Sequence, residues 1–360
     1  MIKVLVIDDS ALMRRLLAQI LCAAQGFEVV TARNGGEALA MLDTVAPDVI
    51  TLDIAMPDMD GLACLDQIMV HRPCPVVMIS AMTPDRPRET LEAMALGAVD
   101  VIAKPNGAVS LEIDALAHDL VERVRTASRA RISPALRLRE RIRARTAART
   151  TALFATRPQI VSRTPAPQHD TQGVVIVGCS TGGPAALDVV LTALPADFPW
   201  PVVIAQHMPA SFTGALAQRL DRICALDVSE VRRTTPLLAG HAYIGRGSGD
   251  IVLARRDQAI VAMPAPSSAA HLWHPSVDRL VESALRVIPA PLLAGVLMTG
   301  MGADGAAAMT ELRARGGHTL AEAAGTATVW GMPGTLVAQG GASDVLPVHD
   351  IAAALVAHVR

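Results

Sequence analysis

Val174-Val175-Ile176-Val177-Gly178-Cys179-Ser180-Thr181-Gly182-Gly183 decides the fold of the C-terminal half of this chain. The run 174–177 reads as a buried strand. Glycines then turn the chain and leave Ser180 at the turn, ahead of a helix expected over 184–194. Strand, tight turn and helix make the start of a βα unit, and repeated units give a parallel sheet covered on both faces. The segment also fits the G-x-S-x-G pattern, which exposes a serine oxygen beside backbone N–H donors. A glycine turn at a helix N-terminus equally suits a phosphate. By itself the segment leaves nucleophile and anion cradle both open.

Downstream, strands are expected at 202–205, 292–298 and 318–321, with helices at 211–220, 277–287 and 305–315. Residues 241–262 read as a β-hairpin built from Ala242-Tyr243-Ile244 and Ile251-Val252-Leu253. Upstream, short apolar runs at 3–7, 28–31, 49–52, 76–79 and 100–102 alternate with amphipathic helices. Leu12, Leu16, Leu17, Ile20 and Leu21 recur at helical spacing in the first of them. The expected architecture is two α/β domains. Residues 1–122 form a five-stranded, flavodoxin-like parallel sheet, and residues 172–360 a doubly wound, mostly parallel sheet with a hairpin. A chain of 360 residues is too long for one ordinary core.

Between them lies a linker, expected over 123–171. Its residues 123–169 hold twelve Arg, no Lys and a single acid, Glu140, a local charge of +11; with −2 overall, the remainder carries −13. A short charged helix is conceivable over 135–145, whereas Pro165 and Pro167 exclude one around them. The five cysteines form no C-x-x-C pair, which argues against a zinc site or disulfide framework and for a reducing cytoplasm. No apolar run reaches the roughly 18 residues of a membrane span, and the strand pattern beginning at Met1 leaves no room for a signal peptide. Aromatic residues make up 2% of the chain, too few for stacking on single-stranded nucleic acid.

Asp8 and Asp9 end the first strand and Asp53 the third, and neighbouring strand ends meet at one edge of a parallel sheet. Three carboxylates there call for a divalent cation, and oxygen-only ligands suit Mg²⁺. Ser80 ends the fourth strand and Lys104 the fifth, offering a hydroxyl and an ammonium to phosphoryl oxygens. Asp53 is then a candidate to accept a phosphoryl group as an acyl phosphate.

Ser180 needs a base. His207 follows the strand at 202–205 and shares the sheet edge with Ser180 if the two strands are parallel. Asp304, in the glycine-rich turn after 292–298, is the candidate to orient the imidazole. The exposed amides of that turn are candidate oxyanion donors. His241 and His274 are eligible bases in less favourable positions, and Cys179 is expected to be a buried filler. The order Ser, His, Asp differs from the Ser, Asp, His order of α/β-hydrolases.

Two resemblances sharpen this reading. Ile7-Asp8-Asp9-Ser10, the segment Asp53-Ile54-Ala55-Met56-Pro57-Asp58-Met59-Asp60-Gly61 and Lys104-Pro105 resemble a response-regulator receiver domain. The resemblance implies phosphorylation of Asp53, with Asp8, Asp9, Asp53 and the Ala55 carbonyl holding Mg²⁺. Val101 stands where receivers often carry an aromatic switch residue. The second resemblance is to the CheB-type protein-glutamate methylesterases of bacterial chemotaxis. It rests on 178–184, Gln206-His207-Met208-Pro209, 240–244, His274-Pro275-Ser276-Val277-Asp278, 299–305 and Gly331-Met332-Pro333. It implies Ser180 as nucleophile, His207 as base and Asp304 as orienting acid, with Thr181 and the Met301 backbone helping to position the oxyanion or the triad. No cofactor is implied for the ester hydrolysis itself. The partners it implies are methylated chemoreceptors as substrate and a chemotaxis histidine kinase as phosphodonor, with neither nucleic-acid binding nor membrane insertion. A phospho-switched binding module with little esterase activity is the alternative. A DNA-binding regulator has only the Arg-rich stretch in its favour.

Overall fold

The computed structural model describes residues 1–81, 86–104, 110–131 and 173–359. The chain divides into two compact units, Met1–Arg157 and Pro158–Arg360. The linker from 132 onward, the short helix expected at 135–145 and Pro105 lie outside the described residues.

The first unit contains strands β1 (Ile2–Ile7), β2 (Phe27–Ala32), β3 (Val49–Asp53), β4 (Val76–Ala81) and β5 (Asp100–Lys104). They pair in the order β2-β1-β3-β4-β5, all parallel. The helices are α1 (Ala11–Ala23), α2 (Gly35–Val45), α3 (Gly61–His71), α4 (Arg86–Leu96) and α5 (Ser110–Ala127). Polar side chains open the first three: Ser10, Asn34 and Asp60 accept the amides of Met13, Glu37 and Ala63, satisfying donors the helix cannot. Gly61 is a steric requirement, because a Cβ there would strike the Asp53 carbonyl. Its absence brings the start of α3 against the end of β3.

α5 continues past the expected boundary at 122. Leu120, Val124 and Ala127 are buried in the same core as Val4, Val6 and Val77. Arg123 is folded into this unit rather than being a free linker charge. Its guanidinium meets Asp100 at 2.8 Å and Asp119 at 2.5 Å. Arg123 and Arg125 mask the period of the helix in the sequence, because their stems cover apolar surface while their heads find acids.

The second unit is a seven-stranded sheet in the order β15-β14-β13-β6-β7-β10-β8. Its members are β6 (Val174–Cys179), β7 (Val202–Gln206), β8 (Asp227–Val231), β10 (His241–Gly245), β13 (Leu293–Leu297), β14 (His318–Glu322) and β15 (Asp344–Leu346). All pair in parallel. The helices are α6 (Gly183–Thr192), α7 (Ala210–Ile223), α8 (Val277–Leu285), α9 (Ala306–Ala314), α10 (Met332–Ala338) and α11 (Val348–His358). The core includes Ile176, Val203, Tyr243, Leu280, Leu297 and Leu336.

The hairpin expected over 241–262 is a correction. Ala242-Tyr243-Ile244 belong to β10, a parallel strand between β7 and β8. The hairpin is instead β11 (Asp250–Arg256) with β12 (Ala259–Ala265), joined in a small sheet by β9 (Thr235–Pro236). Its two-residue turn, Asp257-Gln258, has φ of 45° and 69°, the conformation that matches strand twist but normally selects Asn-Gly or Asp-Gly. The glycines of 245–249 serve close approach instead: a Cβ on Gly247 would strike the Met208 carbonyl.

Candidate active site

At the carboxyl edge of the first sheet, Asp8 and Asp53 are buried and Asp9 is exposed. One carboxylate oxygen from each lies within 4.8 Å of the others. Lys104 Nζ sits 2.8 Å from Asp8 Oδ2 and 2.7 Å from Asp53 Oδ2. Burial raises the Asp8 carboxyl above its ordinary value, against the hydrogen bond and charge of Lys104. Three carboxylates against one ammonium leave negative charge in excess, and the all-oxygen donor set fits a hard divalent cation. Ala55 donates its amide to Asp53 Oδ1 at 3.3 Å. Ser80 is fully buried and its hydroxyl accepts from Thr90 Oγ1 at 3.3 Å. The candidate phosphoacceptor set thus gathers at one edge. Val101 is buried in β5, leaving no aromatic ring at that position.

In the second unit, sheet register delivers the site. β6 is central, with β7 on one side and β13 on the other. Cys179 pairs with Gln206, and the His207 amide donates to the Cys179 carbonyl at 3.0 Å. On the opposite side the Ser180 amide donates to the Thr299 carbonyl at 2.9 Å. Ser180 therefore lies between the extensions of two neighbouring strands. Gly182, at φ 79°, caps α6, and a Cβ there would meet Thr328 Oγ1 at 2.5 Å. A Cβ on Gly300 would come within 2.8 Å of Ser180 Cβ, so the loop holding half-buried Met301 runs directly against the serine.

His207 is buried, and its Nε2 is 2.8 Å from Asp304 Oδ2. With Nε2 carrying the proton to Asp304, the neutral ring presents a lone pair at Nδ1. That atom is buried without a hydrogen-bond partner, so Ser180 Oγ does not bond it in this structure. Such bonds commonly tighten only when substrate binds. Asp304 also accepts the Val277 amide at 2.7 Å, the Asp278 amide at 3.1 Å and Ser276 Oγ at 3.0 Å. It therefore sits on the N-terminus of α8. Asp278, in the first turn of α8, accepts the Ala308 amide of α9 at 2.9 Å. The two helices cap each other across the site. Burial alone would raise the Asp304 carboxyl, but His207 and the two amides hold it below its ordinary value.

A supporting layer beyond the residues expected from the sequence holds the serine loop. Gln206 Nε2 donates to the carbonyls of Ser180 at 2.9 Å and His207 at 3.0 Å. Thr299 Oγ1 donates to the Thr181 carbonyl at 2.8 Å. The Thr299 amide donates to buried Glu322 at 2.8 Å, whose carboxyl is pushed up to about 7 chiefly by burial. A polar residue ending each strand was the available signal. Cys179 is fully buried, donates its thiol to Gln206 Oε1 at 3.0 Å, and is raised by burial and by Glu322. It is a filler rather than a nucleophile. His241 opens β10, at the far end of the sheet, and His274 is committed to Asp250 at 2.9 Å.

Comparison with known proteins agrees with this architecture. Residues 175–355 match the family model described as CheB methylesterase, and residues 4–114 that of the response regulator receiver domain. A protein-glutamate methylesterase/protein-glutamine glutaminase 2 of Rhodopseudomonas palustris is 54% identical, over 99% of this chain and 98% of its own length. A protein-glutamate methylesterase/protein-glutamine glutaminase 3 of Rhodospirillum rubrum is 51% identical, over 99% and 95%. The crystal structure of the Thermotoga maritima CheB methylesterase catalytic domain is 34% identical, covers 51% of this chain and 97% of that one, and superposes with a TM-score of 0.50. Among the described residues, no helix is long and apolar enough to cross a membrane. Two parallel α/β units, a carboxylate cluster on the first and a Ser-His-Asp edge on the second, together with full-length identity above one half, place this chain in the CheB methylesterase family, with a receiver domain preceding its catalytic domain.

Proposed function

We propose that this protein hydrolyses glutamate methyl esters on chemoreceptors and deamidates receptor glutamines, under control of phosphorylation at Asp53 by a chemotaxis histidine kinase. The observation that carries the hydrolytic reading is the bond between His207 Nε2 and Asp304, which leaves Nδ1 available one strand away from Ser180. His207 Nδ1 takes the Ser180 proton as Oγ attacks the ester carbonyl carbon. The tetrahedral oxyanion is held by backbone amides at Thr181 and Met301. As it collapses, the C–OCH₃ bond breaks and His207 returns the proton to the leaving oxygen, releasing methanol. A water, deprotonated by His207, then attacks the acyl-enzyme, frees the glutamate carboxylate and restores Ser180. With glutamine the leaving group is ammonia.

In the first unit Asp8, Asp9, Asp53 and the Ala55 carbonyl would hold Mg²⁺, which supplies charge neutralisation for phosphoryl transfer. Lys104 and Ser80 orient the phosphoryl oxygens, and Asp53 provides the attacking carboxylate oxygen. The described cysteines are free thiols, in keeping with a reducing cytoplasm.

Methanol release from methylated receptor membranes, with and without a phosphodonor, tests the reaction and its control together. Ser180→Ala should abolish release while Asp53 still takes up phosphate. Persistent release from that variant would refute the serine assignment.

A further inference from the structure

Trp273 lies in the segment that leads from β12 into α8. Its indole stacks on the His207 imidazole, with ring centroids 5.7 Å apart and planes 12° from parallel. The same indole reaches the glycine turn before Asp304: a Cβ on Gly302 would sit 3.5 Å from Trp273 Nε1. The geometry points to Trp273 as a positioning residue for His207, a flat lid that fixes the plane of the imidazole so that Nε2 meets Asp304 and Nδ1 faces the serine. This rests on the reading of His207 as the base.

The need for such a lid follows from the bonding. His207 has one side-chain hydrogen bond, at Nε2, and its Nδ1 has none. One bond leaves the ring free to swing about the Nε2–Asp304 line, and a misplaced base costs orders of magnitude in rate. A parallel aromatic face removes that freedom without spending a donor or acceptor on the nitrogen that must stay open. The segment carrying the indole is itself tied down. Buried Asp250 accepts His274 Nδ1 at 2.9 Å, the Ser276 amide at 2.7 Å and Arg279 at 2.5 Å. Arg279 also donates to the Pro266 carbonyl at 2.5 Å. Both ends of the segment thus converge on one carboxylate. Burial would raise Asp250, but His274, the Ser276 amide and Arg279 keep it below its ordinary value. Half-buried Trp273 is not needed to fill the main core, while its neighbour Leu272 is almost fully exposed.

The test uses the full chain with acetyl phosphate and Mg²⁺, and follows the rate at which a fluorophosphonate labels the serine. Trp273→Leu keeps apolar bulk without a flat face and should slow labelling roughly ten-fold or more. Trp273→Phe restores a face and should recover most of that loss. Labelling of Trp273→Leu at the wild-type rate, or equal losses in Leu and Phe variants, overturns the proposal. His207→Gln separates the two readings. If it leaves labelling intact, the base assignment itself is wrong; if it stops labelling while Trp273→Leu does not slow it, only the role of Trp273 falls.

Discussion

Asp304 accepts hydrogen bonds from His207, Ser276, Val277 and Asp278. An amide in its place has only one acceptor oxygen and turns an NH₂ toward donors. Asp304→Asn should therefore lower methanol release by about 10²–10⁴-fold, with the imidazole held in the wrong tautomer. Glu322 makes a different prediction. Its carboxyl titrates at about 7 in the folded chain, mainly because it is buried, against an ordinary 4.5. Between those values the folded state holds a proton that the unfolded state has lost. The penalty is absent below about 4.5 and grows as pH rises toward 7, to at most roughly 3 kcal/mol. Urea unfolding of wild type and Glu322→Gln across that window should show wild type losing stability with rising pH relative to the variant. Parallel curves would mean that the carboxyl is not protonated in the fold.

At the scale of elements, the reciprocal capping of α8 and α9 makes the site depend on helix termini. Asp278→Ala removes the acceptor for the Ala308 amide and should cost about 1 kcal/mol in thermal unfolding. It should also slow serine labelling, since α8 is what Asp304 rests on. The hairpin offers an opposite case. Gln258 adopts φ 69° without being glycine, so Gln258→Gly should stabilise the chain by about 1 kcal/mol, measured as a higher melting temperature. The turn also accounts for the difference between the expected and the observed hairpin. Asp-Gln carries no strong turn signal, whereas the glycines of 245–249 do, and their cause is close approach, Gly247 and Gly249 to backbone carbonyls and Gly245 to the Ile251 and Pro275 side chains. A glycine run looks the same in sequence whether it serves φ or proximity.

For the whole molecule, the two chemistries lie in separate compact units, and the proposed control joins them. Asp53→Asn should abolish the difference between methanol release with and without phosphodonor, and chelation of divalent cations should prevent phosphate uptake at Asp53. Both are read by comparing paired rates and by phosphate incorporation. A stimulation that survived in Asp53→Asn would place the control elsewhere. The Arg-rich stretch is part of this scale too. Arg123 is spent inside the first unit on Asp100 and Asp119, so part of the basic charge counted for the linker belongs to a folded helix.

Periodicity and strand-end chemistry in the sequence were sufficient for two parallel α/β units, for Asp8, Asp9, Asp53 and Lys104 at one edge, and for Ser180, His207 and Asp304 at another. Parallel sheets bring carboxyl ends together, so residues ending successive strands are neighbours wherever the order of strands puts them side by side. What the sequence left open was that order, and with it the second layer. Only the folded sheet put β6 between β7 and β13, set Gln206 and Thr299 to hold the serine loop from either side, placed Asp304 on another helix's terminus and laid Trp273 over His207. Each of these is a contact between segments distant in the chain. No local propensity encodes such a contact; it exists only once packing has brought the segments together.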